Sequence, residues 1–219
     1  MSVEAVVFDM DGLMLDTEPL YKVAWQQASA ELGYDLDDAS YMKLVGRPTA
    51  DCEQELLAQF GERFPLGMFR PRWAQLWRAA ADEGIPTKPG LHELLAFVEE
   101  RGLRAAVATS SEVEYATFSL QQAGLAHRFD VVVTGDQVAR GKPAPDIYLE
   151  AARRLGVEPR CCIALEDSEA GIVAAAGAGM VALLVPDWTR PSAVAVQAAY
   201  RVCDSLREAR DLIATLAMS

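Results

Sequence analysis

The sequence predicts an α/β fold: a doubly wound, Rossmann-like parallel sheet with an all-helical domain inserted after its first strand. Three observations carry this expectation. From Pro89 onward, short continuous apolar runs alternate with helix-period segments, the pattern of a parallel sheet covered on both faces. An isolated apolar run, Ala5-Val6-Val7-Phe8, precedes that alternation. Nothing between Asp16 and Gly84 has strand character. The expected division is a core of residues 1–15 and 89–219 around a helical insert of residues 16–88.

The elements follow in order. Ala5–Phe8 is rich in Val and Phe and reads as a buried strand that stops at Asp9. Thr17 is placed to cap a helix and Pro19 suits its first turn, with Leu20, Val23, Ala24, Ala28 and Leu32 at helical spacing up to Gly33. Cys52, Leu56, Leu57 and Phe60 make a second apolar face, and Phe69, Trp73, Leu76, Trp77 and Ala80 a third. Residues 84–90, rich in Gly and Pro, read as a linker. Beyond it come a helix with Leu91, Leu94, Leu95 and Val98, a strand at Ala105 to Ala108, and a helix with Val113, Ala116, Leu120 and Ala123. A strand at Val131 to Val133 and a helix with Ile147, Ala151 and Leu155 follow. The last elements are strands at Cys161 to Leu165 and Val181 to Val185, with a small-residue helix from Ser168 to Ala176 between them, and an amphipathic helix with Leu206, Ala209, Ile213 and Leu216.

The chain has 219 residues, 51% of them hydrophobic, and a formal net charge of -12. That balance argues against nucleic acid and anionic membranes, which require basic patches. Cys52, Cys161, Cys162 and Cys203 show no C-x-x-C spacing and read as reduced thiols of a cytoplasmic protein. No leader pattern or membrane-length apolar run is present. The expected state is a monomer or small homo-oligomer.

Ligands of open parallel sheets bind at the carboxyl ends of the strands. The first strand delivers Asp9 and Asp11, which leave it on the same side because side chains alternate with period two. The second delivers Thr109 and Ser110, and the fourth Glu166 and Asp167. Lys142 lies in the loop after the third, within Gly141-Lys142-Pro143-Ala144-Pro145-Asp146. Singly, each is explained by an Asx turn, a helix cap or a solvated lysine; together they share one sheet edge. Asp9, Asp167 and a nearby carbonyl are hard oxygen ligands suited to Mg²⁺. Thr109 and the amides opening its helix form an anion site, and Lys142 adds positive charge. A carboxylate nucleophile beside a metal and a phosphate cradle suggests an aspartyl-phosphate intermediate, with Asp11 as acid and base.

Asp9-Met10-Asp11-Gly12-Leu13, Asp16-Thr17-Glu18, Thr109-Ser110-Ser111, the Gly141–Asp146 loop and Leu165-Glu166-Asp167-Ser168 with Gly171-Ile172 occur in this order. With them the whole chain resembles the haloacid dehalogenase superfamily, in its phosphatase and β-phosphoglucomutase-like branch. The resemblance implies Asp9 as nucleophile and Asp11 as general acid/base. It implies Thr109, Ser110 and Lys142 as phosphate ligands. As Mg²⁺ ligands it implies Asp9, Asp11 through its carbonyl, and Asp167, with Glu166 in or next to that set. The helical insert looks like the family's mobile cap, which selects substrate. Dehalogenases of the superfamily lack the second acid and need no metal, so Asp11 and the Glu166-Asp167 pair favour phosphoryl transfer. Similar mutases carry histidine where Tyr21 stands, which weakens a mutase reading.

The expected function is a Mg²⁺-dependent phosphatase of a small phosphorylated metabolite, a sugar phosphate or similar. The alternatives are a phosphohexomutase and an inactive phosphometabolite-binding or regulatory protein. Arg47, in a loop of a kind that touches substrate in similar proteins, is a substrate-binding candidate, with a solvated surface arginine as the alternative. Trp25, Trp73 and Trp77 are read as core of the insert rather than as substrate-stacking groups. His92 is read as structural, and His127 is given no role.

Overall fold

The computed structural model describes residues 2–45, 47 and 49–217, apart from the side chains of residues 49 and 50, so Gly46 beside Arg47 lies outside the described residues. The chain divides into two compact units, Met1–Asp16 with Pro86–Ser219, and Thr17–Ile85. The boundary differs from the expected one because backbone bonds draw the connecting residues into the first unit. The Asp16 amide donates to the Pro86 carbonyl (2.8 Å) and the Lys88 amide to the Met14 carbonyl (2.8 Å).

The first unit is a parallel sheet flanked by helices. Its elements are β1 (Ala5–Phe8), then, after the second unit's α1 (Glu18–Glu31), α2 (Asp38–Tyr41), α3 (Thr49–Phe60) and α4 (Leu66–Asp82), the series α5 (Leu91–Glu100), β2 (Arg104–Ala108), α6 (Val113–Gln122), β3 (Val131–Val133), α7 (Asp146–Leu155), β4 (Cys162–Glu166), α8 (Glu169–Gly177), β5 (Val181–Leu184), α9 (Ala193–Ala198), β6 (Arg201–Val202) and α10 (Leu206–Ala217). The strand order is β3-β2-β1-β4-β5-β6 and every pairing is parallel. The chain winds from β1 to one side through β2 and β3, and to the other through β4, β5 and β6. The reversal opens a crevice at the carboxyl end of β1.

All four residues of β1 and all five of β4 are buried, as their unbroken apolar sequences require. Ala, Val and Leu side chains of the sheet pack on Ile147, Tyr148, Ala151 and Leu155 of α7 and on Ile172, Ala174 and Ala175 of α8. The sixth strand is an addition to the five expected: Arg201 and Val202 pair with Leu183 and Leu184, a run too short to show a period. β4 begins and ends one residue later than expected, so Glu166 is a strand residue and fully buried.

The second unit is helical, as expected. Trp25 meets Phe69 edge-on at 5.2 Å and lies 5.6 Å from Trp73, and Tyr21 stacks on Trp77 at 5.4 Å, so ring contacts join α1 to α4. Each such pair contributes about 0.5–1.5 kcal/mol beyond its buried area. The Arg72 guanidinium pairs with Glu31 between the same two helices. Val23, expected on the apolar face of α1, is 59% exposed; Ala24, Trp25 and Ala28 carry that face. Thr17 holds the N-cap position in helical backbone, without a side-chain capping bond. Among the described residues no helix is long and apolar enough to cross a membrane.

Candidate active site

β1 ends into the crevice with Asp9, 7% exposed, whose amide donates to the Leu165 carbonyl at the end of β4 (3.0 Å). Gly12 then turns the chain at φ +83°, and a Cβ there would run into the Asp167 carboxylate. Only glycine meets both demands, the left-handed backbone and the close approach.

Lys142 reaches the same point from the loop before α7, and its side chain is 5% exposed. Its ammonium donates to Asp9 Oδ1 (2.5 Å), to Glu166 Oε1 (2.5 Å) and to the Ala108 carbonyl (3.0 Å), using all three of its protons. Burial alone would pull the Lys142 pKa down, but Asp9 and Glu166 outweigh it and raise it, so the ammonium stays charged.

Glu166 is the most heavily bonded group of the site. Oε1 accepts from Lys142 and from the Tyr148 hydroxyl (2.7 Å). Oε2 accepts from the Asp167 amide (3.1 Å), the Ser168 amide (3.2 Å) and the Ser168 hydroxyl (2.9 Å). Burial and the Glu166 charge raise the Tyr148 phenol, which keeps its proton and donates. Gly171 on α8 is required here, because any Cβ would overlap the Glu166 carboxylate.

Carboxylate oxygens of Asp9, Glu166 and Asp167 all lie within 4.8 Å of one another. Burial raises Asp9 to about 8, with Lys142 pulling the other way and Glu166 adding repulsion. Burial and the Asp9 charge raise Asp167 as well. Three acids thus share one buried ammonium, an imbalance that a cation relieves. The donors are hard carboxylate oxygens with no Cys or His among them, which fits Mg²⁺ rather than a softer metal. Glu166 already accepts five hydrogen bonds, so Asp9 and Asp167 are the better-suited ligands of the three.

Asp11 is held from α6 and the turn before it: the Ser111 hydroxyl donates to Oδ2 (3.1 Å) and the Tyr115 hydroxyl to Oδ1 (3.0 Å). Thr109, 2% exposed, donates its amide to the Val133 carbonyl (3.0 Å), and its hydroxyl oxygen accepts from the Ser111 amide (3.1 Å). Ser110 is exposed at the end of β2. Asp9, Asp11, Thr109, Ser110, Lys142, Glu166 and Asp167 therefore all belong to the strand-end face of one sheet. Arg47 is carried by the helical unit instead, with its guanidinium 3.2 Å from Glu55.

Sequence reasoning placed Ser111 in a motif without a role and missed Tyr115 and Tyr148; all three hydroxyls orient the acids. It also missed Lys88, whose ammonium bridges Asp16 (3.2 Å) and Asp187. Tyr148 had a readable signal, since it follows Ile147 on a strongly amphipathic helix. Lys88 sat in a stretch read only as linker.

The sheet reversal, the acid cluster and the buried lysine define one buried, charged site at the strand ends of an α/β fold. A profile for haloacid dehalogenase-like hydrolases matches residues 3–179, and the chain belongs to that family. A phosphorylated carbohydrates phosphatase of Thermotoga maritima is 35% identical over 81% of this chain and 82% of its own length. The fructose-1-phosphate phosphatase YqaB of Escherichia coli is 35% identical over 81% of this chain and 94% of its own. A solved hydrolase of the same family from Deinococcus radiodurans, with bound phosphate and sodium, superposes with a TM-score of 0.80 at 30% identity, covering 97% of this chain and 96% of that one.

Proposed function

We propose that this enzyme is a Mg²⁺-dependent phosphatase of small phosphorylated carbohydrates that works through an aspartyl phosphate. The observation that carries the reading is the buried Lys142 ammonium bonded to Asp9 at the sheet reversal, with Asp167 alongside. In the first half-reaction a carboxylate oxygen of Asp9 bonds to phosphorus. The bond from phosphorus to the alcohol oxygen breaks with its electron pair, and that oxygen takes the proton of Asp11. In the second half a water oxygen bonds to phosphorus, the bond to Asp9 breaks, and Asp11 receives the water's proton. Thr109 and Ser110 hold the phosphate oxygens, and Lys142, whose three protons are already placed, adds positive charge beside them. Asp9, Asp167 and the Asp11 carbonyl would hold Mg²⁺, which would supply positive charge beside the transferring group. Glu166 fixes Lys142 in place. The free cysteines and the acidic balance suit a cytoplasmic setting.

The test is phosphate release from fructose 1-phosphate, hexitol phosphates and an aryl phosphate. Release that is lost with a chelator, regained with Mg²⁺ and absent in Asp9→Asn supports the reading; no release from any ester overturns it. With β-glucose 1-phosphate, Mg²⁺ and a trace of the bisphosphate, free phosphate is the expected product. Faster accumulation of glucose 6-phosphate would replace the phosphatase with a mutase.

A further inference from the structure

A second lysine stands beside the acid cluster, and the strand-end chemistry gives it no part. The Lys88 ammonium bridges Asp16 (3.2 Å) and Asp187. The Lys88 side chain is 20% exposed and that of Asp187 14%. Burial alone would pull the Lys88 pKa down, but Asp187 and Asp16 outweigh it and raise it, so the ammonium stays charged.

Both partners are fixed by backbone bonds. The Lys88 amide donates to the Met14 carbonyl (2.8 Å), and its carbonyl accepts from the Leu91 amide at the start of α5 (3.2 Å). Asp187 follows β5, whose end is tied to β4 where the Val185 amide donates to the Glu166 carbonyl (2.7 Å). That bond lays the chain leaving β5 alongside the chain leaving β4, which carries Asp167.

The two oxygens of Asp187 differ. Oδ1 accepts from Lys88, and Oδ2 accepts no hydrogen bond among the described residues. Oδ2 instead borders Gly12: a Cβ there would lie 3.4 Å from it and would overlap Asp167 Oδ2. One point beside Gly12 is thus flanked by an oxygen of Asp167 and by the unbonded oxygen of Asp187. A largely buried carboxylate oxygen without a donor is costly. Asp187 is not among the acids whose oxygens lie within 4.8 Å of one another, so it is placed outside the direct ligand set. Mg²⁺ keeps several of its waters, and those waters need acceptors.

We propose that Lys88 is a positioning residue of the metal site: it holds Asp187 so that Oδ2 accepts from a water of the cation bound by Asp9 and Asp167. This role rests on the Mg²⁺ reading and adds an outer acceptor to it. Such outer partners typically carry about 10–100-fold in metal affinity.

The sign of the effect separates positioning from bare charge. A lysine acting only through its charge repels the cation, so removing it tightens binding. A lysine that aims Asp187 weakens binding when removed, and does so only while residue 187 is a carboxylate.

Mn²⁺ alone is the probe, because it suits hard oxygen sites and its free ion is counted by electron paramagnetic resonance without turnover. The full chain is titrated unsubstituted and as Asp187→Asn, Lys88→Met, the two together, and Asp167→Asn, each with a melting curve to establish folding. Asp187→Asn should weaken Mn²⁺ about tenfold. Lys88→Met should weaken it about threefold, since the lost repulsion offsets part of the effect. On the Asp187→Asn background Lys88→Met should cause no further weakening, because it acts through that carboxylate. Asp167→Asn should abolish binding. The role of Lys88 is overturned if Lys88→Met tightens Mn²⁺ or leaves it unchanged, if it weakens Mn²⁺ equally on both backgrounds, or if Asp187→Asn binds as tightly as the unsubstituted protein. If the unsubstituted protein binds no Mn²⁺, or if Asp167→Asn still binds it, the Mg²⁺ reading falls together with this role. If binding is lost in Asp167→Asn alone, only the role of Lys88 and Asp187 falls.

Discussion

The strand ends and the ring cluster of the helical unit bury their polar groups in different ways. At the strand ends, Glu166 accepts five hydrogen bonds, Lys142 gives three and Asp11 is held at both oxygens. In the helical unit, Trp25 Nε1, Trp73 Nε1 and Ser29 Oγ are buried without a hydrogen-bond partner among the described residues, amid edge-on and tilted rings. A fully satisfied charged network is stiff, because moving any member strands a buried charge. Ring packing is tolerant, because dispersion and area burial have no fixed direction.

The largest expected effect breaks the comparison at its rigid end. Asp9→Asn keeps the shape but removes the anion proposed to attack, and turnover should fall by at least about 10⁴-fold, measured as phosphate release from an aryl phosphate. Substantial activity in a folded variant would refute the covalent route.

Lys142→Ala comes next, with two readouts. Turnover should drop by about 10²–10³, the cost of one preorganised stabilising group. The melting temperature should drop too, because Asp9 and Glu166 lose their buried counter-ion, a loss of about 3–5 kcal/mol. Lys142→Arg should rescue poorly, since a planar fork cannot replace three converging bonds in so tight a space. A variant that loses activity at unchanged stability would show that the carboxylates do not depend on Lys142.

Glycine-to-alanine substitutions sharpen the contrast by their sign. In α8, Gly171→Ala should destabilise by about 1–3 kcal/mol through overlap with Glu166, although alanine is the better helix former. In α4, Gly67→Ala meets nothing within 4 Å and should stabilise by up to about 1 kcal/mol. Denaturant midpoints of the two variants check both signs. Destabilisation by Gly67→Ala would show the helical unit to be as tightly constrained as the strand ends.

Tyr115→Phe should slow alkyl phosphates by about tenfold and aryl phosphates less, because Asp11 loses one of its two hydroxyl donors and the acid matters most for poor leaving groups. Equal losses on both ester types would mean that Tyr115 supports the fold rather than the acid.

The smallest effect is the Arg72–Glu31 pair. Hydrogen bonds from Arg72 hold the exposed Glu31 carboxyl down at about 2, below its ordinary value. A depressed acid contributes stability above its unfolded pKa and loses it as pH falls through the folded value. The melting-temperature deficit of Glu31→Gln should therefore be present at pH 7, shrink from about pH 4.5 downward, and fade with salt. A deficit independent of pH would remove the ion pair from the account.

What the sequence by itself determined lies in short-range signals. The apolar runs Ala5–Phe8, Val131–Val133 and Cys161–Leu165 announced buried parallel strands, and the helix-period segments between them required a doubly wound sheet. Once the sheet is parallel, residues following each strand share one edge, so Asp9, Asp11, Thr109, Lys142 and Asp167 were legible as one face before any coordinates. Tertiary structure decided the rest. Tyr115 reaches Asp11 across 104 positions and Lys88 reaches Asp187 across 99, and neither an ordinary helix tyrosine nor a linker lysine carries a local mark of its partner. The two-residue β6 has no period to read. Glu166 stood in the sequence as a metal ligand, but only the packing of Gly171, Tyr148 and Ser168 around it revealed how fully its oxygens are engaged. Trp25 and Trp73 were read as core of the insert; Trp25 is buried, but Trp73 is only half-buried, and that the same rings wall a cavity depends on which helix faces meet, which periodicity within one helix cannot specify.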